Sequence, residues 1–222
     1  MNRKYEQKER ARRKEQTRER IVEAAASLAN ERGIERLTMR DLAAALGVGT
    51  MSIYYHLPDK QSVKEAVADF LWAEIAVPPK RLDWQTRMRA IATALRKVAR
   101  RHPGLAALLL TRRYTGPEGL RAVEALLAAA RDAGFEARGA VRCFRVLVGY
   151  VVGIAQAEVA RSAVGLGASA RWLKGSVAAS RFPNLRAALA VAANRRFADQ
   201  EFAFGLEILL EGFHRRARPR SR

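Results

Sequence analysis

The stretch "TMSIYYH", from Thr50 to His56, gathers two hydroxyls, a thioether, two phenols and an imidazole within seven residues, and Lys60 follows closely. Such groups donate hydrogen bonds to phosphate oxygens and reach base edges, which is the chemistry of holding a duplex in register. They do not make a catalytic set. The three histidines, His56, His102 and His214, are far apart in sequence, no HExxH pair occurs, and no glycine-rich phosphate loop follows a strand. The expectation is a binding surface and not an enzyme, with no metal and no cofactor.

Helices must hold that surface. In "TRERIVEAAASLANERG", Ile21, Ala24, Ala25 and Leu28 recur at helical spacing, and Gly33 is placed to stop the helix in a left-handed conformation. "TMRDLAAALG" opens with Thr38 and Asp41 in capping-box spacing and closes on Gly47. A short third helix follows, Pro58-Asp59 interrupts the chain, and "KQSVKEAVADFLWAEI" forms a fourth helix that ends before Pro78-Pro79. Two helices joined through Gly47-Val48-Gly49, the second of them short, form a helix-turn-helix pattern, whose second helix lies in a major groove. Leu42, Ala43, Leu46, Val48, Ile53 and Leu57 are expected to face inward. Thr50, Met51, Ser52, Tyr54, Tyr55 and His56 are expected outward or along the rim. One alternative stays open here, that Tyr54 or Tyr55 packs on the first helix with its hydroxyl in water.

Beyond the proline pair, helices are expected over 83–101, 105–111, 117–133, 136–162, 184–194 and 198–216, with a glycine- and serine-containing loop between Ser162 and Phe182. The fold class is all-α. It comprises an N-terminal three-helix helix-turn-helix domain and a larger helical domain for ligand binding and dimerisation. The division is a basic arm over 1–16, the helix-turn-helix domain over 17–62, the regulatory domain over 63–216 and a basic tail over 217–222.

Charge supports a nucleic-acid partner without proving one. The net charge is +19, but residues 1–78 carry 14 basic against 12 acidic side chains, and 79–222 carry 27 against 10. Most of the excess therefore lies outside the helix-turn-helix segment, and a solvated surface explains it equally well. The first 20 residues, nine basic and four acidic, read as a mobile or marginally helical arm that adds phosphate or minor-groove contacts. The N-terminus has neither the apolar segment nor the cleavage site of a signal peptide. The longest apolar run, 12 residues from Val146 to Ala157, falls short of the roughly 20 that span a bilayer and reads as a buried helix. The lone Cys143 reads as a small buried hydrophobe. The expected location is cytoplasmic, with no membrane partner.

The stretch "LTMRDLAAALGVGTMSIYYHLPDKQSVKEAV" resembles the DNA-binding domain of the TetR family of bacterial transcriptional repressors. "RRHPGLAALLLTRRYTGPEGLRAVEALLAAARDAGF", "LVGYVVGIAQAE" and "FAFGLEILLEGF" resemble the regulatory domain of its tetracycline-responsive members. The resemblance implies base-edge contacts at Arg40, Thr50, Met51 and Tyr54, with phosphates held at Met39, Ser52, Tyr55, His56 and Lys60; Thr38 is counted with this surface. Met39 stands where the tetracycline-responsive members have threonine. Their magnesium-ligating histidine falls at Leu109, their asparagine at Ile91 and a threonine-arginine pair at Arg112-Arg113. Leucine cannot ligate magnesium, so an effector other than tetracycline is expected. An apolar pocket remains, with Trp84, Ile91, His102, Leu109, Arg113 and Trp172 as candidate lining residues.

Phe202, Leu206, Leu209 and Phe213 are spaced as a two-helix seam, with Gly205 and Gly212 alongside. Gly149 and Gly153 accompany Val148, Val151 and Val152 on the preceding long helix. Read alone, these stripes favour an intramolecular core. The resemblance assigns them to a dimer interface, since the family dimerises through these two helices. The reading is a repressor that binds a palindromic double-stranded DNA operator as a homodimer and is released by a small-molecule effector. An activator of the same fold and a non-specific architectural DNA binder are the alternatives.

Overall fold

The computed structural model describes residues 2–111, 116–164, 182–184 and 197–217. Among them are nine helices and no strand: α1 (Asn2–Arg32), α2 (Met39–Leu46), α3 (Thr50–His56), α4 (Lys60–Ala73), α5 (Trp84–Arg101), α6 (Leu108–Thr111), α7 (Pro117–Asp132), α8 (Ala137–Val164) and α9 (Phe197–Arg216). The expected helix over 184–194, most of the loop between Ser162 and Phe182, and the tail from 218 lie outside the described residues.

The starts of α4 and α5 have a local cause. The Asp59 carboxylate accepts from the Ser62 N–H at 2.6 Å and opens α4. Asp83 accepts from the Thr86 N–H at 2.9 Å and opens α5. Gly33, at φ 84°, follows α1 and sends the chain toward α2. The helix expected over 105–111 is shorter than its sequence pattern. Leu105, Leu108, Leu109 and Leu110 donate to carbonyls three residues back, so tight turns after Pro103-Gly104 lead into a single helical turn, α6.

Ile21, Val22, Ala25, Ala26 and Ala29 bury one face of α1, and Leu42, Ile53, Leu57, Val63 and Val67 complete the small N-terminal core. Farther along α4, Leu71 and Trp72 are fully buried, and α4 packs on both α1 and α7. This helix therefore bridges the two parts of the chain. In the larger part α5, α7 and α8 pack on one another, and α9 lies on α8. The stretch Ala137–Ala160 of α8, with mean hydropathy 1.5, is long and apolar enough to cross a membrane. The 12-residue run understated its length because the helix continues through Arg145 and Glu158. Its Leu147, Val148, Val151, Val152 and Ala155 are buried within the protein. Cys143 is buried as expected, and burial pushes its thiol up to about 11, which makes it inert.

Candidate nucleic-acid interface

Thr38 opens α2 through a reciprocal cap. Its hydroxyl accepts from the Asp41 N–H at 3.1 Å, and the Asp41 carboxylate accepts from the Thr38 N–H at 3.0 Å. Hydrogen bonds from Thr38, that of its hydroxyl first, hold the Asp41 carboxyl below its ordinary value. The contribution of this group is complete above the ordinary carboxylate range and is lost as pH falls through the lowered folded value. Thr38→Ala is expected to cost about 1 kcal/mol, read as a lower urea midpoint at unchanged slope.

At the other end of α2, Gly47 takes φ 67° and ψ 30°. The Gly47 N–H donates to Ala44 O at 3.2 Å and the Val48 N–H to Ala43 O at 3.0 Å, a Schellman pair that satisfies two terminal carbonyls. This turn launches α3 and also corrects one expectation. Leu42, Ala43, Ile53 and Leu57 are buried and Leu46 is partly so, but Val48 is 43% exposed. The left-handed glycine redirects the chain, and Val48 faces solvent.

On α3 only Ile53 is buried. Met51 is 78% exposed, Tyr55 71% and Tyr54 41%, and Ser52 is exposed beside them; neither tyrosine is core. Arg40, in the first turn of α2, is also exposed, while Thr50 at the start of α3 is half-buried.

Three expected phosphate contacts are placed differently. Met39 is half-buried and packs against the core, because the first turn of α2 directs it inward. His56 is half-buried, and its Nδ1 is enclosed without a hydrogen-bond partner. Its ring meets Tyr55 edge-on at 5.2 Å and borders the cleft between α1 and α4. Lys60 donates to the carbonyl of Glu35, and Lys64 pairs with the Glu35 carboxylate. Lys60 therefore staples the start of α4 to the turn before α2.

The expected effector-pocket residues do not converge. Ile91 and Leu109 are wholly enclosed in the core. Trp84 stacks on His214 with ring centroids 6.4 Å apart, and His102 Nε2 lies 2.7 Å from Glu74 Oε1. Arg112, Arg113 and Trp172 lie outside the described residues. A cleft of about 860 Å³ occurs instead between α1, the end of α3, α4 and the start of α7, and none of Trp84, Ile91, His102 and Leu109 borders it.

The expected dimer seam is also internal. Val148, Val151, Val152, Phe202, Leu206 and Phe213 are buried within the single chain, and Leu209 is half-buried. A Cβ at Gly205 would meet the Tyr150 hydroxyl at 2.3 Å, so this glycine admits Tyr150 from α8 and not a second chain. The Tyr150 hydroxyl lies 2.9 Å from Phe202 O and donates to it. The open faces of the two helices lie one step round. On α8 they present Val146, Gly149 and Gly153, and on α9 Phe204 at 66% exposure and Ile208 at 52%.

A small helix-turn-helix unit with an exposed second helix, joined by one shared helix to a larger all-α part, defines a two-part DNA-binding regulator. Comparison with known proteins gives the family. Residues 21–67 match the family described as bacterial regulatory proteins, tetR family, and residues 78–217 match the tetracyclin repressor-like C-terminal domain. The chain belongs to the tetR family and is a DNA-binding transcriptional regulator, not an enzyme. It is 30% identical over 208 residues to the HTH-type transcriptional repressor DrrR1 of Streptomyces coeruleorubidus, covering 88% of this chain and 76% of that one. It is 29% identical over 201 residues to the tetracycline repressor protein class A from transposon 1721 of Escherichia coli, covering 88% and 89%. Among solved structures, the TetR family protein ActR of Streptomyces coelicolor in complex with (S)-DNPA superposes with a TM-score of 0.76 at 28% identity, covering 90% of this chain and 98% of that one.

Proposed function

We propose that the protein is a cytoplasmic repressor that binds a palindromic operator as a homodimer through Arg40, Thr50, Met51, Ser52, Tyr54 and Tyr55, and that a small-molecule effector releases it. The observation that carries this reading is the exposure of Met51, Tyr54 and Tyr55 on a helix whose sole buried side chain is Ile53. Large apolar bodies with polar tips, held in water on a short helix beside an exposed arginine, suit base edges and phosphates. Val48 joins this surface at its rim. The reader spans 17–62, with the regulatory part following over 63–216.

The open faces of α8 and α9 support the homodimer. Gly149 and Gly153 have no neighbour within 4 Å of an added Cβ, so a second helix can approach closely, and Phe204 and Ile208 offer apolar surface beside them. Two readers related by a two-fold axis match a palindrome with half-sites about one helical turn of DNA apart. Release by an effector rests on ActR, whose structures hold (S)-DNPA and actinorhodin. The effector is distinct from magnesium-tetracycline, since Leu109 and Ile91 offer no ligand atoms.

The test is selection of bound duplexes from a random pool, followed by Arg40→Ala on the enriched sequence. A palindrome is expected. Arg40→Ala should weaken binding by about 1 to 3 kcal/mol and relax preference at one position in each half-site. An equal loss on every duplex, or no enriched sequence, would contradict the reading and favour a non-specific binder.

A further inference from the structure

α1 runs for 31 residues, yet no described side chain between positions 5 and 20 is buried. The first half of the helix has no core to serve. Its row pattern indicates what it does serve. Ile21 and Ala25 face the core, and stepping back from Ile21 by the helical repeat puts Lys14, Arg10 and Gln7 on the same row. The face that is apolar inside the domain turns basic where the helix leaves it.

The direction of that row is fixed by one contact. Lys14 Nζ sits 4.7 Å from the centroid of the Tyr55 ring, a cation over an aromatic face. The basic row therefore overhangs the exposed end of α3, on the side from which DNA must come. Two of the three acidic residues of this half are engaged by neighbouring arginines: Glu9 pairs with Arg12 and Arg13 at 3.9 and 3.6 Å, and Glu15 pairs with Arg18 at 3.7 Å. These pairs support the helix, and because it grows from a packed segment it needs no new nucleus.

We infer that the N-terminal half of α1 is a second DNA-contacting element, a rigid helix whose Arg10–Lys14 row binds the phosphates flanking the bases read by α3. Residues 2–16 extend roughly 22 Å at 1.5 Å per residue. That is enough to follow about six base pairs at 3.4 Å per step along one strand. The inference rests on α3 being the recognition helix.

The experiment measures affinity against salt for a 40-base-pair duplex carrying the sequence enriched in the selection, and for the same sequence trimmed to its core. Each phosphate contact removed lowers the salt slope by about 0.9. Arg10→Gln with Lys14→Gln should therefore lower it by about 2 for each bound protomer and abolish the dependence on flanking DNA. Lys8→Gln with Arg12→Gln removes the same charge from the opposite side of the helix and should leave the flank dependence intact. Gln16→Pro keeps every charge but breaks the helix, and should behave like the Arg10 and Lys14 pair. Equal effects from both charge pairs, or an unchanged slope with Gln16→Pro, would overturn the rigid helix in favour of a diffuse basic tail. If the wild-type chain enriches no sequence, the recognition-helix reading itself fails, which is a separate outcome.

Discussion

Glu158→Ala is expected to destabilise the protein by about 3 kcal/mol, at the lower end of what breaking a buried ion pair costs. Glu158 on α8 is buried, and its carboxylate accepts from Arg96 Nη2 at 2.7 Å and from Nε at 3.1 Å. Arg96 is buried too, with Phe202 of α9 against its guanidinium at 4.5 Å. Burial works against the Arg96 charge, but the hydrogen bonds it donates to Glu158 and Asp199 outweigh it and hold its pKa above the usual value. Removing Glu158 leaves that guanidinium in the core with Asp199 as its remaining strong partner. The Asp199 side chain is 78% exposed and its pull is screened by water, which limits the loss without preventing it.

The same reasoning predicts that Arg96→Met combined with Glu158→Leu recovers most of the loss, because the cost lies in stranding a charge and not in lacking a bridge. Urea unfolding of the two singles and the double closes the cycle. A Glu158→Ala midpoint within about 0.5 kcal/mol of wild type would show that Arg96 reaches solvent when its partner is removed. The triad also ties α5, α8 and α9 together in one register beside the open faces of α8 and α9.

What could be read from the residues divides by the range of the interactions involved. The cap at Thr38 and Asp41, the stop at Gly47 and the short helix carrying the tyrosines are local, so their spacing suffices. Val48 was misplaced because the inward pattern counts positions, whereas the left-handed turn at Gly47 resets the direction of the chain. Lys60 was misplaced because its acceptor, the Glu35 carbonyl, lies 25 residues upstream. Long-range partners of flexible cations leave no periodic trace.

The α8 and α9 stripes show a different limit. Both helices are apolar on more than one face, and periodicity cannot say which face meets the parent core. Heptad-like spacing drew attention to Val148, Val151 and Val152, which are internal, while Val146, Gly149, Phe204 and Ile208 stand outside. The polar N-terminal segment reads as an arm because it holds hardly an apolar side chain. That its helical rows continue those of the packed half of α1 becomes visible only once the register from Ile21 is extended backward.

Gly104→Ala is expected to weaken operator binding by about 5- to 150-fold with no change at the DNA surface, the range of a coupling free energy of roughly 1 to 3 kcal/mol. Gly104, in the turns between α5 and α6, sits against the last turn of α1. Its N–H donates to Asn30 Oδ1 at 3.1 Å, and an added Cβ would lie 2.4 Å from Asn30 O and 3.1 Å from Ala29 O. Both are backbone atoms, so no side chain can move aside, and α1 as a rigid rod must shift with the reader it carries. A second joint lies nearby, where Asp69 of α4 accepts from the Gly119 N–H of α7 at 2.7 Å. A Cβ at Gly116 would strike the Asp69 carboxylate, which can swing away at the loss of that bond. Gly116→Ala should therefore mimic Asp69→Ala and have a smaller effect than Gly104→Ala. If the arrangement seen here is the one that binds DNA, the overpacked joint disfavours it, and the population competent for the operator falls by the same factor. Affinity for the enriched duplex, measured without effector alongside the urea midpoint, decides the matter. A Gly104→Ala protein that loses stability by the full steric cost yet binds DNA as wild type would show that this joint is the same in both states, and the link between effector and reader would then have to run through α4 alone.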